Sequence, residues 1–180
     1  MYHPAEDSFI LSESIKKYLE KKGKSFKILD MGTGSGIQAE TCKSLGFNNL
    51  LAADIDSESL KYVKNKTNIK TIKSNLFSKI KGKFDLILFN PPYLPEHEHD
   101  KQKDTSGGKN GDETIIKFLN QAKSHLTKDG KVLLLVSSLT PRKEINKIIN
   151  KYYKKKKLSD KKLFFETLEV WKIQRKNIKR

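Results

Sequence analysis

The chain has 180 residues and carries 37 basic against 21 acidic side chains, a net charge of +16. That length suits one domain, residues 1–180, with a real core, and the basic excess makes nucleic acid or ribonucleoprotein an expected contact. One cysteine excludes an internal disulfide or a cysteine zinc site built by this chain alone, and no apolar run approaches the length of a membrane span.

In chain order, the N-terminus shows no basic region followed by an apolar core. No signal peptide is expected, and the expected location is the cytoplasm. The opening segment is acidic and leads into a helical pattern. Leu11, Ile15, Tyr18 and Leu19 share one face, with Gly23 as the stop. Phe26 to Met31 reads as a short buried strand that runs into Gly32-Thr33-Gly34-Ser35-Gly36. A helix is predicted from about Ile37 to Leu45, closed by Gly46. Cys42 falls on it and reads as a buried, inert thiol. Leu50 to Ala53 makes a second strand ending in Asp54. Asp56 or Ser57 suits the cap of the next helix, which carries Leu60 and Val63. Ile69 to Ile72 is a third strand, and Phe84 to Leu88 a fourth that enters Phe89-Asn90-Pro91-Pro92-Tyr93.

A polar loop from Leu94 to Gly111 follows, long enough to expect a function. His97 and His99 alternate with acids in it, but a flexible loop holds a fixed metal geometry poorly, so no metal site is expected. A helix is predicted from about Asp112 to Leu126, a turn at Asp129-Gly130 and a strongly apolar strand from Val132 to Val136. Pro141 suits the first turn of another helix, with Ile145, Ile148 and Ile149 inward. Lys154 to Lys157 reads as a solvated face. Only Arg142, Arg175 and Arg180 are arginines, so lysine supplies 34 of the basic residues; forked phosphate recognition would favour arginine. An antiparallel hairpin between about Lys161 and Arg175 closes the chain. Strands alternating with helices predict an α/β fold, a parallel sheet covered on both faces.

Chemistry concentrates where strands end. The glycine turn after the first strand lets a ligand approach the backbone closely. It departs from the dinucleotide fingerprint, because Ile37 stands where the third glycine belongs. Asp30 beside it would oppose a pyrophosphate and pair with an ammonium group. Asp54 is placed to accept hydrogen bonds from two ribose hydroxyls. An amino-acid head joined to a nucleoside without phosphates describes S-adenosylmethionine. At the fourth strand, Pro91 and Pro92 stiffen the backbone around Asn90. The Asn90 amide oxygen and the Pro91 carbonyl are two acceptors suited to a planar –NH2 group, and the Tyr93 ring can cover a flat substrate. A glutamine amide and an adenine amino group both meet that description.

Taken together, these motifs resemble the class I methyltransferases, and within them the HemK-like glutamine methyltransferases of class-1 peptide release factors. The resemblance runs from Pro4-Ala5-Glu6-Asp7-Ser8-Phe9 through the glycine turn, Asp54, Ser74-Asn75-Leu76-Phe77 and Asn90-Pro91-Pro92-Tyr93 to Leu163-Phe164-Phe165-Glu166. With one short helix before its first strand, the chain looks like the archaeal and eukaryotic branch. The resemblance implies a Rossmann-like, seven-stranded, mostly parallel sheet with helices on both faces and a C-terminal antiparallel hairpin. It implies that Ser8, Asp30, Gly32, Gly34, Gly36, Asp54, Asn75, Leu76 and Asn90 serve the cofactor. Asn90, Pro91, Pro92 and Tyr93 would then hold the acceptor glutamine. It also implies a small zinc-binding activator subunit. Three features depart from the family pattern: Ser8 stands where threonine is common, Asn75 where aspartate is common, and the loop with Gly107, Gly108 and Gly111 lacks an aromatic residue found in some relatives. A small RNA adenine methyltransferase is the competing reading, and a catalytically silent binding subunit a third.

Overall fold

A computed structural model describes residues 5–92 and 111–176. Among these residues the chain runs α1 (Glu6–Leu19), β1 (Ile28–Met31), α2 (Ile37–Ser44), β2 (Leu50–Asp54), α3 (Ser57–Thr67), β3 (Lys70–Lys73) and β4 (Phe84–Phe89). It continues with α4 (Glu113–Ala122), β5 (Leu126–Ser137), α5 (Lys143–Tyr152), β6 (Tyr153–Lys162) and β7 (Thr167–Arg175). The strands form one seven-stranded sheet in the order β3-β2-β1-β4-β5-β7-β6. Neighbours from β3 to β5 pair in parallel, while β7 runs antiparallel to both β5 and β6. This is the expected architecture.

Period-two alternation divides the core between the sheet's faces. Leu29, Ile87, Phe89, Leu134 and Trp171 pack with Ile115, Phe118 and Leu119 of α4 and Ile145 and Ile149 of α5. Ile28, Leu86, Leu88, Leu133 and Val170 pack on the other side with α1, α2 and α3 through Leu11, Ile15, Ala39, Cys42 and Val63. Cys42 is fully buried, and burial pushes its thiol pKa up, as an inert core thiol requires.

Local signals acted largely as expected. Asp56 caps α3 by accepting from the backbone N–H groups of Glu58 at 3.2 Å and Ser59 at 3.0 Å. Gly46, at φ +87°, closes α2. Its N–H donates to Lys43 O at 2.9 Å while that of Phe47 reaches Cys42 O at 3.1 Å, a Schellman arrangement.

Four expectations need correction. The helix predicted to reach Leu126 ends at Ala122, because Leu126 already pairs with Phe84 at the start of β5. Asp129-Gly130 lies inside the span of β5 as a register shift, where a Cβ on Gly130 would sit 2.7 Å from Phe84 O. Pro141 precedes α5, whose N-cap is Arg142. The closing hairpin is also longer than expected, since Lys154 to Lys157 belong to β6. The ammonium of Lys155 lies 3.8 Å from the Trp171 ring centroid, so at least this lysine covers an aromatic face.

Candidate active site

Met31 of β1, Asp54 of β2 and Phe89 of β4 bring the C-terminal ends of three adjacent parallel strands together. Their loops enclose a cavity of about 530 Å³. Such a crevice beyond the strand ends is where open α/β sheets bind ligands, and the volume suits a cofactor-sized molecule.

The glycine turn forms one wall. Gly32 (φ +63°) and Gly34 (φ +48°) line the cavity in left-handed backbone, which glycine adopts without strain. Gly36 (φ +81°) serves packing instead. A Cβ there would meet Val63 Cγ2 of α3 at 2.7 Å, so its glycine lets two helices approach, and it lies outside the cavity wall.

Asp54 spans the turn and the next loop. Its Oδ2 accepts from Gly34 N at 2.8 Å and its Oδ1 from Asp56 N at 2.9 Å. A carboxylate has about four lone-pair sites, so acceptor capacity remains on Asp54, which itself lines the cavity. Asn75 and Leu76 line the same wall. Leu76 holds φ +47°, an uncommon value for a branched side chain. The Ser74 hydroxyl donates to its carbonyl at 2.7 Å and accepts from Lys79 N at 3.0 Å, which fixes the bend.

Asp30 sits differently from expectation. It is 2% exposed and does not line the cavity. Alternation places it on the same face as Ile28, under α2. There its Oδ2 accepts from the Thr33 hydroxyl at 2.6 Å and from Ala39 N at 3.2 Å. Burial raises its pKa to about 7 against the pull of those two hydrogen bonds. In this structure Asp30 braces the glycine turn from behind.

The opposite wall comes from β4 and α1. Asn90, Pro91, Pro92 and Ser8 all line the cavity. Asn90 Nδ2 donates to Asp7 Oδ2 at 3.1 Å. A carboxylate only accepts, so this contact fixes which end of the amide faces Asp7. The other end, Oδ1, is buried and takes no hydrogen bond from the described residues. Asp7 itself is a site residue that sequence reasoning passed over; it lines the cavity beside Ser8, and its Oδ1 accepts from Ser8 N at 2.6 Å. The Pro4 to Phe9 segment that carries the resemblance includes it, but nothing local gives it a role, because its partner is distant in sequence. Gln38 also lines the cavity and was not anticipated. Its amide donates to Ser8 O at 3.0 Å, tying α1 to α2. Tyr93, His97, His99, Gly107 and Gly108 lie outside the described residues. Among the described residues no group of three His, Cys, Asp or Glu could hold a metal.

A family model for the methyltransferase small domain matches residues 8–168. The chain belongs to the methyltransferase small domain family. This methyltransferase is 36% identical, over 187 aligned residues, to a Methanocaldococcus jannaschii protein provisionally named protein N5-glutamine methyltransferase MJ0928. The alignment covers 96% of this chain and 92% of that relative. It is 31% identical over 147 residues to the release factor glutamine methyltransferase of Borreliella burgdorferi, covering 73% of this chain and 51% of that one. Its fold matches the E. cuniculi Mtq2-Trm112 complex, described as responsible for methylation of the eRF1 translation termination factor. The TM-score is 0.79 at 23% identity, with 97% of this chain and 98% of that chain covered. No helix among the described residues is long and apolar enough to cross a membrane.

Proposed function

We propose that this methyltransferase transfers the methyl group of S-adenosylmethionine to the side-chain amide nitrogen of a glutamine in a class-1 peptide release factor. The observation that carries this reading is Asn90 Oδ1: a buried acceptor without a partner among the described residues, at the wall of a cavity that Asp54 and the glycine turn also line. The residues present fit the cofactor. Asp54 retains lone pairs for ribose hydroxyls, Gly32 and Gly34 leave room beside the backbone, and Asn75 offers a side-chain oxygen for the adenine amino group. S-adenosylmethionine, when bound, supplies an electrophilic methyl group.

The acceptor amide is a poor nucleophile because its lone pair is delocalised. Asn90 Oδ1 and the Pro91 carbonyl would accept its two N–H groups, holding the nitrogen in line and favouring positive charge there. That is catalysis by positioning and electrostatic stabilisation; no separate general base is assigned. An adenine amino group would satisfy the same two acceptors. The names of the two relatives, both glutamine methyltransferases, favour the protein acceptor. We extend the proposal to the setting: residues 1–180 act as one domain in the cytoplasm, with a small zinc-binding activator subunit of the kind suggested by the Mtq2-Trm112 complex.

A methyl-transfer assay tests the substrate. Release factor and total RNA are offered separately, with and without the activator, and mass spectrometry locates the methyl group. Transfer to a release-factor glutamine is expected. Transfer to RNA adenine alone contradicts the proposed acceptor.

A further inference from the structure

Phe164 and Phe165 are 92% and 83% exposed at the turn joining β6 to β7. Two adjacent phenylalanines left in water are unusual on a folded surface and mark an interaction site more often than chance. The turn is well braced. Leu163 N donates to Glu166 O at 2.7 Å, Ser138 N donates to Thr167 O at 2.8 Å, and the Ser137 hydroxyl donates to the Glu166 carboxylate. The rings pack edge to face, with centroids 4.6 Å apart and planes at 80°. The braced turn holds the two residues side by side at the end of the hairpin.

Strand register locates this tip. Phe89, next to Asn90, pairs with Leu134. Three residues further along β5, Ser137 pairs with Leu168 of β7. The tip continues beyond Leu168 in the same direction, so it rises from the edge of the sheet that holds the cavity. Strand spacing near 4.8 Å and a rise near 3.3 Å per residue put it on the order of 20 Å from Asn90. The side chain of Lys161 pairs with Glu6, in the first turn of α1, whose neighbours Asp7 and Ser8 line the cavity. Phe9 (52% exposed) and Leu139 (49% exposed) add apolar surface, one next to Ser8 and one just past the end of β5.

We infer that the Phe164-Phe165 tip docks the body of the folded protein substrate while its acceptor loop reaches Asn90. The inference rests on the proposed protein acceptor and adds where that substrate is gripped. A polypeptide fits better than a nucleic acid. Single-stranded nucleic acid needs flat stacking faces within a cationic groove. Here the rings lie edge to face, and two of the cations on β6, Lys157 and Lys161, are paired with Asp160 and Glu6.

The test compares the full chain, copurified with its activator subunit, with the variant Phe164→Ser/Phe165→Ser. Four quantities are measured: thermal midpoint, S-adenosylmethionine affinity, equilibrium binding of labelled release factor, and methyl transfer to intact release factor and to a short peptide carrying the same glutamine. The inference predicts an unchanged midpoint and cofactor affinity, release-factor binding weakened about tenfold or more, the scale of one interface anchor, and unchanged turnover of the peptide. Equal binding of release factor by both proteins overturns the docking site while leaving the proposed acceptor intact, provided the wild type methylates the glutamine. Loss of the activator, of self-association or of RNA binding in the variant, in place of release factor, assigns the tip to another partner and overturns it too. A wild type that leaves release factor unmethylated removes the proposed acceptor and the docking inference together.

Discussion

The Asp7 carboxylate accepts the Nδ2–H of Asn90 at 3.1 Å, across 83 positions of sequence. The contact joins α1 to the end of β4, and it leaves Asn90 Oδ1 as the buried end of the amide with no hydrogen bond from the described residues. One acidic side chain thereby sets the orientation of the Asn90 amide.

Asp7→Ala should act on turnover through Asn90. Freed from its carboxylate, the amide can rotate and present Nδ2, a donor, where an acceptor is needed. Kcat should fall about tenfold to a hundredfold, the cost of a modest misplacement of a reacting group. Asp7→Asn should recover part of the loss, since its amide oxygen can still accept from Nδ2. Steady-state kinetics on release factor distinguishes this from a structural role. A fall in cofactor affinity with unchanged kcat would contradict it.

Asp54→Ala should weaken S-adenosylmethionine binding by about 1–3 kcal/mol, the scale of a lost charged hydrogen bond. The structure adds a second reason to expect a loss, because Asp54 also holds Gly34 N and Asp56 N. Titration calorimetry measures it. Unchanged affinity, or preferential binding of a nicotinamide dinucleotide, contradicts the account of this wall.

Asp30 carries a pH dependence. Burial raises its pKa from 3.8 to about 7, so the fold prefers the protonated acid. Its contribution to stability is full below about pH 4 and is lost as pH rises through about 7. Asp30→Asn mimics the neutral acid and can still accept from Thr33 and Ala39. Urea unfolding at about pH 5 and pH 8 should show the wild type losing stability over that interval and the variant losing less. Equal losses would mean that Asp30 is ionised in the fold at both pH values, as pairing with a cation would require.

The fold was legible because its signals are local. Gly46 closes a helix, Asp56 caps one, and the apolar runs Leu86–Leu88 and Val132–Val136 are buried through and through. Lys154 to Lys157 carried no such signal. Four identical residues show no alternation, so a strand in which Lys155 covers Trp171 looks the same as a solvated run. Glycine positions were legible as a turn, but the separate job of Gly36 depends on Val63, which no spacing rule connects to it. Asp30 was placed correctly at a strand end. Its direction follows from the pleat and from α2 lying over that face, where its carboxylate accepts from Thr33 and Ala39. Asp7 was invisible as an orienting group because its partner is brought to it only by the sheet.

The central claim is that Asn90 aligns the acceptor amide, and one measurement addresses it most directly. Methyl transfer to a release-factor glutamine is followed for the wild type and Asn90→Ala, with S-adenosylmethionine affinity measured on the same preparations. The account predicts transfer by the wild type, a loss of about 10²–10³ in rate for the variant, and closely similar cofactor affinity, since removing one preorganised stabilising group acts on the chemical step. Near-wild-type turnover by Asn90→Ala would contradict it, leaving Asn90 as a turn residue and the acceptor site elsewhere.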